Sequence, residues 1–156
     1  MRRIAILGAT SQIAKDFVRL VAEKDRDVTT LSLFARRPEA VSVWLEEARL
    51  HGRGYAVADF SDFWYQKYDA IINFVGVGNP AQAKVAGNSI FDITWRYDEM
   101  ALDYIRDHPE CRYLFLSSGA AYGSNFLEPA SRDTQAVVAI NNLQPQEWYG
   151  VAKLHA

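Results

Sequence analysis

The chain has 156 residues, 49% of them hydrophobic and 23% charged, with a formal net charge of -2. Length and composition suit one globular domain with a sizeable core and exclude a disordered or low-complexity chain. The small negative charge gives no basis for a nucleic-acid or membrane partner, and neither is expected. No apolar run reaches membrane-spanning length, and the single cysteine, Cys111, fits a reducing compartment. A soluble, cytoplasmic protein is the expectation.

Apolar strand-like runs alternate with stretches of helical period, the signature of βαβ units around a parallel sheet. The first strand covers residues 3–7, and the helix after it is expected to turn Ile13, Phe17 and Leu20 inward. A second strand covers 28–35. Pro38 then suits the first turn of a helix that buries Val41, Trp44, Leu45 and Ala48. Residues 55–58 and 70–75 read as third and fourth strands, the latter apolar except for Asn73. Ile93, Tyr97, Ala101 and Tyr104 mark a long helix that stops near His108-Pro109. Residues 113–117 form the fifth strand. The cluster Phe60, Phe63, Trp64, Tyr65 and Tyr68 is assigned to the core. Residues 124–146 have little period beyond the apolar patch 136–140 and read as a long loop with at most one small regular element. The fold class is α/β: a Rossmann-like doubly wound parallel sheet in three layers, α/β/α, as one domain over residues 1–156.

A dinucleotide site needs a strand, a tight turn and a helix whose free N–H groups face the pyrophosphate. Gly8 permits the turn, and Ser11 and Ala14 stand where the spacing G-x-x-G-x-x-G has its later glycines. Alanine keeps helix and strand close; serine adds a Cβ near phosphate but also a hydroxyl. Gly8, Thr10, Ser11, Gln12 and Ile13 are the candidate phosphate contacts. The alternative is a plain strand-to-helix turn capped by Thr10 or Ser11. The second strand ends in Phe34-Ala35-Arg36-Arg37-Pro38, with no acid to read an unphosphorylated ribose. Guanidinium groups suit a 2′-phosphate, so Arg36 and Arg37 favour NADP, with NAD as the alternative. The plainer reading has both arginines solvating a helix start.

Tyr149 and Lys153 are four residues apart and share a helix face. An adjacent ammonium lowers the pKa of a phenol, which can then exchange a proton with a substrate hydroxyl. Ser118 follows the fifth strand, where open α/β sheets place their ligands, and its hydroxyl can orient the reacting oxygen. Alone, Ser118 reads as a loop serine bonded to nearby backbone, and Tyr-x-x-x-Lys as an amphipathic helix with a solvated lysine. His51, His108 and His155 are scattered and Cys111 has no partner spacing, so no metal site is expected.

The strand-Ser-Ser-x-x-x-Tyr-Gly run at residues 116–123, coupled to Tyr149-Gly150-Val151-Ala152-Lys153, resembles the short-chain dehydrogenase/reductase superfamily. The likeness spans residues 8–153 and is greatest to its extended branch of nucleotide-sugar epimerases and dehydratases. The resemblance implies an NAD(P)-dependent oxidoreductase or epimerase acting at a carbinol carbon of a small polar molecule such as a nucleotide sugar. By the same resemblance Ser118 is the catalytic serine, Tyr149 the acid/base, and Lys153 the residue that tunes Tyr149 and holds the nicotinamide ribose. Asp59 matches the aspartate that reads the adenine amino group, and Phe74, Val75 and Gly76 match the stretch that lines the cofactor. Two departures stand out: Thr94 where the family often has asparagine, and Gly119-Ala120 where dehydratases carry an acidic pair. An epimerase or reductase is thus favoured over a dehydratase. The family also implies a homodimer through the long helix and the tyrosine helix. Its members continue past the lysine. These residues are therefore expected to be a fragment lacking its substrate part, binding NADP weakly and inactive alone. The competing hypothesis is a dinucleotide-binding module without turnover.

Overall fold

The computed structural model describes residues 2–24, 29–77, 83, 85–122, 128–135, 138–145 and 147–155. Residues 1–75 with 100–115 form one compact unit, and residues 76–99 with 116–156 form a second. The first unit carries five strands: β1 (Arg2–Leu7), β2 (Thr29–Phe34), β3 (Ala56–Ala58), β4 (Ala70–Asn73) and β5 (Arg112–Phe115). All are parallel, in the order β3-β2-β1-β4-β5. The order therefore reverses beside β1, the switch point at which doubly wound sheets bind ligands. Leu7 lies opposite both Phe34 and Asn73, and Phe34 opposite Ala58. These strands end level, so the residues that follow each of them emerge along one edge.

Alternation along the strands gives the sheet two buried faces, as an all-parallel sheet requires. Ala5, Leu7, Phe34 and Ile71 on one face join Phe63, Tyr68, Ala101, Tyr104 and Cys111 in a single apolar cluster. Ile6, Leu31, Leu33 and Ile72 on the other face are buried as well. Two phenols tie the aromatic segment to the cluster. The Tyr104 hydroxyl accepts from the Tyr68 amide at 2.9 Å and donates to the Gln66 carbonyl at 3.1 Å, while the Tyr68 hydroxyl donates to the Phe63 carbonyl at 2.9 Å. Burial, chiefly, pushes the pKa of both phenols up.

The helix α1 (Gln12–Lys24) buries Ala14, Val18 and Ala22, not the face carrying Ile13 and Leu20, which are 63% and 48% exposed. Small residues at four-residue steps let this helix lie close to its neighbours. Phe17 alone of the expected face is half-buried, tilted against Phe74 at 5.8 Å. The next helix, α2 (Pro38–Glu47), begins at its proline and buries Val41, Trp44 and Leu45, as read; Ala48 is its C-cap. Lys15 and Arg19 of α1 lie over the Trp44 ring at 5.4 and 5.5 Å.

The long helix α3 (Ser89–Asp107) stops just before His108, whose amide donates to the Tyr104 carbonyl. The tyrosine helix α4 is Trp148–His155. Strand ends differ from expectation by one or two residues, and Val28 lies outside the described residues. Of the aromatic cluster, Phe63 and Tyr68 are core, but Trp64 and Tyr65 are 51% and 83% exposed. The 3-10 turn Phe60–Tyr65 turns them outward because a three-residue repeat buries only one side. The long loop holds a 3-10 turn at Ile140–Asn142; residues 123–127, 136, 137 and 146 lie outside the described residues. Among the described residues, no helix is long and apolar enough to cross a membrane.

Candidate functional site

In the first unit, the candidate cofactor residues gather past the carboxyl ends of β1 to β4. Gly8 leaves β1 with φ of +79°, and its amide and that of Ala9 both donate to the Phe34 carbonyl at 3.0 Å. A Cβ on Gly8 would stand 2.9 Å from the Val75 nitrogen and 3.0 Å from the Phe74 carbonyl carbon. The turn after β1 is thus pressed against the turn after β4, which brings Gly8 together with Phe74 and Val75. Asn73, fully buried, fixes that second turn: its Oδ1 accepts from the Val75 amide at 2.9 Å and its Nδ2 donates to the Tyr113 hydroxyl at 3.0 Å.

Ser11 is the N-cap of α1, its Oγ accepting from the Ala14 amide at 3.2 Å. The cap and the phosphate reading coexist. Ser11 satisfies one helix-end amide, and those of Gln12 and Ile13, at the first two helical positions, have no intrahelical acceptor. Thr10, Gln12 and Ile13 are exposed beside them. Arg36 and Arg37 are exposed after β2, Arg37 standing at the N-cap of α2 without a side-chain cap. Asp59 follows β3 and caps the 3-10 turn, its Oδ1 accepting from the Ser61 amide at 3.0 Å.

The second unit holds the other set. Tyr149 lies in the first turn of α4, half-buried. Lys153 is buried; its Nζ donates to the Leu116 carbonyl at 2.9 Å and lies 3.2 Å from where a Cβ on Gly76 would stand. Burial pushes the Lys153 pKa down, and the carboxylate of Asp98, itself buried on α3, opposes the shift. Ser118 opens the 3-10 turn Gly119–Tyr122: its Oγ accepts from the Ala120 amide at 3.2 Å and its carbonyl from the Ala121 amide at 3.0 Å. That turn packs on α4, and Ser117 Oγ donates to the Lys153 carbonyl at 3.4 Å. One unit therefore brings Gly76, Lys153 and the turn at Ser118 together around the Tyr149 helix. Thr94 is buried on α3.

Three residues here have surroundings that the sequence does not signal. Asp98 looks like one of many helix carboxylates until its burial is known. Gly87, in a turn, sits at a close contact that no local pattern reveals; for Gly150 a glycine inside a short helix is a signal, since it costs about 1 kcal/mol against alanine, but not of what it meets.

A sequence model of the NAD dependent epimerase/dehydratase family matches residues 4–156. The chain belongs to that family. Solved structures with the same fold include the UDP-glucose 4-epimerase of Bifidobacterium longum, in complex with NAD+ and UDP, at 18% identity and a TM-score of 0.75. It is matched over 98% of this chain and 46% of its own. The UDP-Glc/GlcNAc 4-epimerase of Campylobacter jejuni matches at 15% identity and a TM-score of 0.70, over 99% and 46%. A thiolation-reductase di-domain from an archaeal non-ribosomal peptide synthetase matches at 12% identity and a TM-score of 0.67, over 98% and 46%. No curated protein sequence matches the chain. The likeness to these structures is one of fold, and the chain spans about half the length of each. Their Rossmann-like α/β fold is that of this family member.

Proposed function

We propose that residues 1–156 are the dinucleotide-binding domain of an NAD(P)-dependent epimerase or reductase that acts on a carbinol of a nucleotide sugar or a similar polar molecule. The observation that carries this reading is the buried Lys153, held at the Leu116 carbonyl and against Gly76, one helical turn from Tyr149 on the same helix. Burying an amine is costly, and a family that acts through such a group gives the cost a purpose.

The turn residues fit a dinucleotide. Gly8 leaves room for backbone to approach backbone, and the amides of Gln12 and Ile13 with the Ser11 hydroxyl offer donors to a pyrophosphate at the positive end of α1. Arg36 and Arg37 would hold a 2′-phosphate, favouring NADP over NAD, although the Bifidobacterium epimerase was crystallised with NAD+. Asp59 keeps a second carboxylate oxygen for the adenine amino group. The nicotinamide ring supplies the two-electron chemistry when bound. Ser118 orients the reacting oxygen, Tyr149 passes its proton, and Lys153 places positive charge beside the phenol and a donor at the ribose.

Titration with NADP and NAD, followed by tryptophan fluorescence, tests the first half; Arg36→Ala should remove the preference for NADP. Turnover of UDP-glucose and UDP-galactose by the whole protein tests the second. Removing the acid/base in Tyr149→Phe should lower kcat by about 10²–10⁴-fold while dinucleotide affinity is kept. Full activity in Tyr149→Phe refutes the mechanism.

A further inference from the structure

The helix that carries Tyr149 rests on glycine on either side of it. Gly150 lies so close to the 3-10 turn at 119–122 that a Cβ would stand 2.5 Å from the Ala120 carbonyl oxygen and 3.3 Å from its carbon. The obstacle is backbone, and the Ala120 amide is itself tied to Ser118 Oγ, so the turn cannot swing aside without moving Ser118. On the other flank, the Trp148 ring meets Gly87, where a Cβ would be 3.0 Å from Cζ3. Gly87 has φ of +56°, its amide donates to the Ala83 carbonyl at 3.1 Å, and its carbonyl accepts from the Ile90 amide at 3.3 Å. Trp148 is thus seated on the turn that begins α3.

We propose that Gly87 and Gly150 are positioning residues, admitting the Trp148 ring and the Ala120 carbonyl at distances a Cβ forbids and so fixing Tyr149 relative to Ser118. The inference rests on the reading that Tyr149 and Ser118 act together. Real Cβ contacts stay beyond 3.0 Å, so any side chain at position 150 moves α4 off the turn by at least half an ångström. Displacements of about 1 Å cost about 10²-fold in rate when proton transfer depends on alignment. An eight-residue helix with an internal glycine gives up helix propensity for that approach.

The test uses the whole protein with NADP bound and UDP-glucose as probe. Gly150→Ala should lower kcat about 100-fold with KM for UDP-glucose nearly unchanged, measured at saturating NADP. Adding Tyr149→Phe to Gly150→Ala should cost far less than Tyr149→Phe costs alone, because both remove the same alignment. Losses that simply multiply, as when less protein is folded, overturn the proposal. Hydrogen exchange at the amides of residues 151–155 supplies a readout independent of chemistry. The clash predicts faster exchange there in Gly150→Ala, with β1 and β4 unaffected, whereas helix propensity alone predicts slower exchange. Unchanged or slower exchange overturns the seating. Gly87→Ala should act in the same direction, with Trp148→Leu in that background restoring part of the loss. If Tyr149→Phe alone keeps full turnover, the functional reading fails, and exchange at α4 still decides the seating.

Discussion

Gly8→Ala and Gly54→Ala make a matched pair that isolates the contact at the turn after β1. Both glycines have left-handed backbone, with φ of +79° and +68°. They differ in surroundings: a Cβ on Gly54 meets nothing within 4 Å, whereas one on Gly8 meets Val75 and Phe74 backbone at 2.9 to 3.1 Å. The backbone penalty common to both is about 1–2 kcal/mol. Overpacking against atoms that cannot rotate away adds about 1–3 kcal/mol at Gly8 only. Gly54→Ala should therefore cost about 1–2 kcal/mol and Gly8→Ala about 2–5. At about 2–4 °C per kcal/mol for a chain of this size, Gly8→Ala lowers Tm by about 4–20 °C. Urea unfolding followed by tryptophan fluorescence measures both, with equal m-values confirming a common unfolded state. Equal losses in the two variants would refute the claim that the β1 and β4 turns are in contact at that point.

Ser11→Asp keeps an N-cap and should leave stability within about 0.5 kcal/mol, yet under the proposed phosphate site its carboxylate would repel the pyrophosphate and abolish dinucleotide binding. Ser11→Ala should instead cost about 1 kcal/mol of stability, and retention of NADP affinity in Ser11→Asp would count against the phosphate site. Tyr104→Phe removes the acceptor of the Tyr68 amide and the donor to Gln66, so denaturant unfolding should register a loss of about 1–3 kcal/mol. The pKa of the Cys111 thiol is raised from 9.0 to about 11, mainly by burial. The folded chain thus keeps a proton that the unfolded chain releases, and stability falls as pH rises from about 9 through about 11. Cys111→Ala should flatten that part of the stability–pH curve, and an unchanged slope would show that the thiol does not titrate this way. Lys153 acts in the opposite sense: its lowered pKa makes stability rise with pH toward 10.5, so the comparison between variants, not the raw curve, isolates the cysteine.

The strands were legible because a parallel sheet buried on both faces demands short apolar runs: residues 4–7 of β1 and 70–72 of β4 are such runs, while β2 alternates Leu31, Ser32 and Leu33. Pro38 and His108-Pro109 marked helix ends through fixed backbone geometry, which needs no tertiary context. The motif at 116–123 and the Tyr149/Lys153 pair pointed to the family by resemblance; helix geometry accounts only for Tyr149 and Lys153 sharing a face. The inward face of α1 was misread because periodicity weighs the largest apolar residues, Ile13 and Leu20. The face that is buried carries the smaller Ala14, Val18 and Ala22 instead. Ser11 likewise carried two meanings in sequence, cap or ligand contact, and folding gives it the cap; Asp59, matched only to an adenine contact, also proves to cap a 3-10 turn. The sequence by itself determined the order of elements and the fold class, and it nominated the candidate site residues, since these depend on local geometry and on pattern. Only the tertiary structure decided that Lys153 is buried against Gly76, that Asp98 opposes its deprotonation, and that Gly150 abuts Ala120. Those facts depend on separations of a few ångströms between segments distant in the chain, and no local pattern encodes such separations.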